Sequence, residues 1–68
     1  MPSTVIADII YEAERDLLVV TFTTGRIYEY RGVPADVAAA FESAPSKGAF
    51  FNADIRDRYA CREVTPPR

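Results

Sequence analysis

Apolar and polar positions along this chain change period about halfway. Val5, Ala7, Ile9 and Tyr11 alternate with Ile6, Asp8 and Ile10, which predicts a strand over residues 4–11 whose two faces are not cleanly separated. The polar run Glu12-Ala13-Glu14-Arg15-Asp16 has the length of a hairpin loop. After it, Leu17-Leu18-Val19-Val20-Thr21-Phe22-Thr23 is rich in β-forming residues, with Leu18, Val20 and Phe22 on one face. Thr23-Thr24-Gly25 is a short connection in which glycine supplies the positive φ a tight hairpin needs, and residues 26–31 return antiparallel.

The period then becomes helical. Pro34 suits a helix start, Asp36 sits near the positive end, and Val37, Ala40, Phe41 and Ala44 form a stripe at i, i+3, i+4 and i+7. Pro45 ends this helix, and Ser46 is placed to cap a second one, expected from about Ala49 to Arg56 with Phe51 and Ile55 on one side. Tyr59, Cys61 and Val64 are spaced for a docked extension or a short edge strand, and Pro66-Pro67-Arg68 reads as a loose tail. The expected fold is α+β: a three-stranded antiparallel β-meander packed against two short helices, with a short C-terminal extension. Residues 1–68 form one domain, with an ordered core of about residues 4–64.

Composition narrows the chemistry. At 68 residues the chain buries only roughly 60% of its unfolded surface, so few side chains can be spared from the core. A single cysteine excludes an internal disulfide, and the absence of histidine removes imidazole acid–base chemistry and His-containing metal sites. The reducing cytoplasm is the expected location, and no membrane-length apolar run occurs. The net charge of −2 is uneven: residues 1–44 carry −4 and residues 45–68 carry +2. A pI near 4.9 argues against nucleic-acid binding by bulk charge, so polyanion binding would need a local patch.

Arg56 and Arg58, with Lys47 upstream and Arg62 downstream, are the best anion-contact set, because guanidinium forks match phosphate geometry. Asp54 and Asp57 lie close enough in sequence to pair with them instead. Arg26 and Asn52 complete the candidates, although an asparagine beside two phenylalanines commonly satisfies nearby backbone groups. Tyr28 and Tyr30 project from one strand face at about 6.6–6.8 Å spacing. Exposed, they would stack on bases; in a domain this small the expectation is that they pack in the core. The opposite face presents Val19, Ile27 and Glu29, a surface suited to a protein partner or to self-association as a homodimer. Ser46-Lys47-Gly48 lacks the glycines and strand-to-helix context of a nucleotide loop. Cys61 reads as a small half-buried hydrophobe, and the carboxylates form no convincing acid–base pair.

Leu18-x-Val20-x-Phe22, Gly25, Tyr28-Glu29-Tyr30, Val33-Pro34, Ser46-x-Gly48, Phe51-Asn52, Ile55-Arg56 and Tyr59 together resemble the KTSC domain over nearly the whole chain. That domain occurs at the C-terminus of some lysyl-tRNA synthetases and as a stand-alone bacterial protein. The resemblance implies no catalytic residue and no cofactor, and its synthetase context suggests RNA binding. The functional expectation is a noncatalytic binding module for RNA or a ribonucleoprotein; the alternative is a protein-interaction or self-association module using the exposed sheet face.

Overall fold

A computed structural model of the chain describes residues 5–67. Its elements run β1 (Ile6–Glu12), a 3-10 turn (Ala13–Arg15), β2 (Leu17–Phe22), β3 (Ile27–Arg31), α1 (Ala35–Ser43), α2 (Lys47–Phe50), a π-helical turn (Phe51–Ile55) and β4 (Ala60–Glu63). Thr4, at the start of the expected first strand, and Arg68, at the end of the expected tail, lie outside the described residues.

Four strands rather than three make the sheet, in the order β1-β2-β3-β4 with every neighbouring pair antiparallel. The segment spaced for a docked extension or a short edge strand is the edge strand, with Cys61 opposite Tyr30 and Arg62 opposite Glu29. All four of its residues are exposed, so no burial pattern announces it. Backbone pairing holds it, reinforced just beyond its end. Val64 N–H donates to the Ile27 carbonyl at 2.7 Å, and Ile27 N–H donates to Thr65 Oγ1 at 2.8 Å.

The mixed alternation of β1 has a structural cause. Its register against β2 shifts between Ile6 and Asp8, and the irregularity lets Ile6, Ile9 and Tyr11 all pack on the core side. Across the next two pairs the register is regular: Leu18 opposes Tyr30 and Val20 opposes Tyr28. These residues face the helical layer, where Val33, Ala38, Phe41, Phe51 and Ile55 complete the buried cluster.

Helix α1 keeps Val37 and Phe41 of the expected stripe on the core and differs at one position, where Ala38 takes the place of Ala40. Ala38 and Phe41 are buried, whereas Ala40 is exposed. With alanine at 38, 39 and 40, periodicity cannot choose among neighbouring faces, and the fit against the sheet decides. Ser46 does cap α2, its Oγ accepting the Ala49 N–H at 3.3 Å, but α2 begins at Lys47, two residues earlier than expected. Gly48 is buried there. The expected single helix through Arg56 instead widens at Phe51, where Arg56 N–H reaches back five residues to the Phe51 carbonyl at 2.8 Å.

A second lock joins the loops at the other end. Tyr11 donates its hydroxyl to the Val33 carbonyl at 2.7 Å, and Val33 N–H donates to the Asp16 carbonyl at 3.0 Å. Asp16 takes φ 50°, a left-handed conformation that aspartate tolerates better than most residues. Replacing Tyr11 by Phe removes the bond to Val33 and is expected to cost about 1 kcal/mol in urea unfolding. Phe51→Ala is expected to cost about 3–5 kcal/mol, a large part of the total stability of so small a domain, and to appear as a sharply lowered urea midpoint or an unfolded circular-dichroism spectrum.

Candidate functional site

Phe51 is the residue on which two layers meet. Its ring lies edge-on to Phe22 (centroids 5.4 Å apart) and to Tyr30 (5.5 Å), with Phe41 behind it at 6.4 Å. Phe22 is in turn edge-on to Tyr28 at 5.6 Å. Edge-to-face contacts of this kind fix ring orientation as well as burying area. Because Phe51 and Ile55 point inward from the π-helical turn, Asn52 and Arg56 emerge on its outer side, beside the β2–β3 hairpin.

A cavity of about 360 Å³ opens at that place, lined by Val5, Phe22, Thr23, Thr24, Arg26, Tyr28, Phe51, Asn52 and Arg56. Its lining is mainly apolar, contributed by the aromatic rings and Val5. The polar groups stand around it: two guanidinium groups, one amide, a phenol and two threonine hydroxyls. Among the described residues no carboxylate lines it. Arg56 Nη1 approaches Asn52 Oδ1 at 3.5 Å, and Arg26 makes only a long contact of 4.0 Å with Glu63. The hairpin that carries Arg26 is closed by Gly25 N–H donating to the Phe22 carbonyl at 2.9 Å, with Gly25 at φ 94°. Chemically, the cavity offers an apolar slot for a flat group and cationic donors for an anion beside it.

The structure thus brings together Arg26, Asn52 and Arg56 of the sequence candidates, and separates the other three. Lys47 Nζ donates to the Glu42 carbonyl at 3.0 Å and caps the end of α1. Arg58 Nε contacts the Ala53 carbonyl at 3.4 Å and lines a different depression that also contains Asp36 and Asp54. Arg62 lies on the opposite sheet face, paired with Glu29 at 3.4 Å. The ion pairs anticipated from Asp54 and Asp57 to Arg56 and Arg58 do not form among the described residues, where the pairs are Arg15–Glu12, Arg26–Glu63 and Arg62–Glu29.

The two tyrosines of β3 part company. Tyr30 is 4% exposed and belongs to the buried cluster, its ring held against Phe51. Tyr28 is half-buried and lines the cavity, so no paired stacking platform exists. Cys61, read as a half-buried hydrophobe, is exposed on the edge strand, where nothing covers β4. Val19, Ile27 and Glu29 are each half-buried on the face that no helix covers. The sequence pattern does not single out Phe22, Thr23 and Thr24 as part of a site. Their only signal is proximity to Gly25, whose turn folds the hairpin back toward Arg26.

Burial pushes the Tyr30 phenol up to about 12, with Cys61 and Tyr28 adding to the rise and the Arg56 guanidinium opposing it. Burial also raises the Tyr11 phenol, and the Asp16 carboxylate adds to the effect. A phenol whose folded value is raised stays neutral in the fold at a pH where the unfolded chain already ionises. Stability is therefore intact below about pH 10 and falls as pH rises through about 12. Ultraviolet titration of tyrosinate is expected to show a late-titrating phenol that disappears in Tyr30→Phe, while urea midpoints decline over the same interval.

Comparisons with known proteins agree with this architecture. Residues 2–59 match the family model of the KTSC domain. A lysine–tRNA ligase from Nostoc punctiforme is 34% identical over 61 residues, which is 90% of this chain but 11% of the ligase. An uncharacterized protein from Stutzerimonas stutzeri is 40% identical over 42 residues, covering 62% of this chain and 59% of that one. The crystal structure of a KTSC domain protein from Yersinia pestis superposes with a TM-score of 0.86 at 33% identity, covering 94% of this chain and 93% of the other. The chain spans only about a tenth of the length of the ligases it matches.

Proposed function

This chain belongs to the KTSC domain family, and from that premise we propose that it is a noncatalytic module that binds single-stranded RNA at the cavity between the β2–β3 hairpin and the π-helical turn. The observation that carries the reading is the meeting of Arg26, Asn52 and Arg56 over a floor of Phe22, Tyr28 and Phe51 with no carboxylate in the lining. An unstacked base enters the apolar slot, the Asn52 amide reads its edge, and the two arginines take the flanking phosphates. Stacking or edge contact with an aromatic floor is worth roughly 1–3 kcal/mol per base, and it tolerates many sequences because every base has a π face. Local placement of the cations reconciles RNA binding with an acidic pI of about 4.9. The likeness to a segment of lysine–tRNA ligases supports a role beside RNA, in the cytoplasm of a bacterium.

The test is a titration of single-stranded and structured RNA over a series of salt concentrations. Saturable binding of the single strand is expected, and Arg26→Ala and Arg56→Ala should each flatten the dependence of log K on log salt by about 0.7, the share of one lost phosphate contact. Lys47→Ala and Arg58→Ala, which lie outside the cavity, should leave the slope unchanged. Absence of saturable binding at about 50 mM salt, or equal effects from all four substitutions, overturns the reading.

A further inference from the structure

The sheet face away from the helices has an order that RNA binding at the hairpin does not use. Its register forms three rows across β1, β2, β3 and β4. Glu12, Leu17, Arg31 and Ala60 make the first row; Ile10, Val19, Glu29 and Arg62 make the second; Asp8, Thr21 and Ile27 make the third and continue toward Val64, whose N–H bonds Ile27. Along β1 both charges, Asp8 and Glu12, are acidic, with Glu12 bonded to Arg15 at 3.0 Å, while Arg31 and Arg62 stand over β3 and β4, Arg62 bonded to Glu29 at 3.4 Å. A cavity of about 330 Å³ lies between them, lined by Arg15, Leu17, Glu29, Arg31 and Arg62. Arg31 has no carboxylate partner among the described residues, while Ile10, beside the acidic column, is 53% exposed.

We propose that this face is the interface of a homodimer, in which β1 of each copy lies over β4 of the other and its Glu12 end meets Arg31 and Arg62. Two-fold packing of sheet on sheet has two regular orientations. An axis perpendicular to the strands lays β1 on β1 and brings Glu12 over Asp8, which is repulsive. An axis along the strands, between β2 and β3, keeps the rows and exchanges the columns. Glu12 of the second copy then lies over Ala60, between Arg31 and Arg62, and Ile10 covers the aliphatic stem of Arg62. The charge pattern thus complements itself in one orientation only. The molecule measures 33 × 30 × 18 Å, thin across its two layers, so its broad face is large enough for the roughly 800 Å² per partner of a standard interface.

The experiment is sedimentation of four samples up to about 1 mM protein, the weak limit for a specific association. The wild type is expected to show a monomer–dimer equilibrium. The charge-reversed variants Asp8→Lys/Glu12→Lys and Arg31→Glu/Arg62→Glu, each checked for a native circular-dichroism spectrum, should each dimerise at least about tenfold more weakly. Mixed in equal amounts, the two variants should associate again, because each supplies the column the other now lacks. A monomeric wild type, single variants that associate as the wild type does, or a mixture that fails to recover association overturns the proposal. If reversal of β3 and β4 unfolds the chain, Arg31→Gln/Arg62→Gln replaces it, and weakened association of that variant is then the expected result, with wild-type association counting against the interface.

Discussion

The seat of Phe51 is the constraint on which the rest of this structure depends. One ring stands edge-on to Phe22 of β2 and Tyr30 of β3 while its own backbone belongs to the helical segment. Phe41, Ile55 and Val33 bury fully beside it, but Phe51 is the helical-segment ring that meets aromatic rings of both β2 and β3. The π-helical turn is the backbone's accommodation to that seat. Across the widened turn both Phe51 and Ile55 are buried, and Asn52 and Arg56 are displayed outside. The ring that closes the core is also a wall of the cavity, so stability and the proposed ligand recognition draw on the same contact.

The sheet is secured differently at its two ends. At the hairpin end, Gly25 and the Phe22–Arg26 backbone pair set a tight return; at the other, Tyr11, Val33 and Asp16 bind loop to strand. The edge strand β4 adds almost no apolar burial, and its value lies in covering the polar backbone edge of β3. Thr65 extends that cover by one residue, accepting from Ile27 N–H while its own hydrogen goes to Glu63 at 2.8 Å.

The sequence shows its strands and caps where local chemistry is decisive. Leu18, Val20 and Phe22 declare one face of β2, Ser46 declares a helix start, and Gly25 declares a turn. It conceals what depends on tertiary fit. Alanines at 38, 39 and 40 carry no preference for one helix face, and the exposed Ala60-Cys61-Arg62-Glu63 has no burial pattern to decide between an extension and an edge strand. The same limit governs the site. Clustering in sequence groups Arg56 with Arg58, yet residues two apart along a helical segment do not share a face, and it is Arg26, thirty residues earlier, that joins Arg56.

The two proposed surfaces also constrain one another geometrically. The cavity lies at the hairpin end of the sheet, beyond the row that contains Thr21 and Ile27, and on the helical side. A two-fold axis along the strands preserves that end, so it leaves both cavities at the same end of the dimer and neither one covered. Two weak single-base sites held in this way would act on one strand as a linked pair, the second contact becoming intramolecular and gaining from a high effective concentration. The perpendicular axis would send the cavities to opposite ends and forfeit that gain for a short strand. The same axis that the charges favour is therefore the one under which a shallow, mostly apolar cavity with two arginines becomes sufficient for useful affinity.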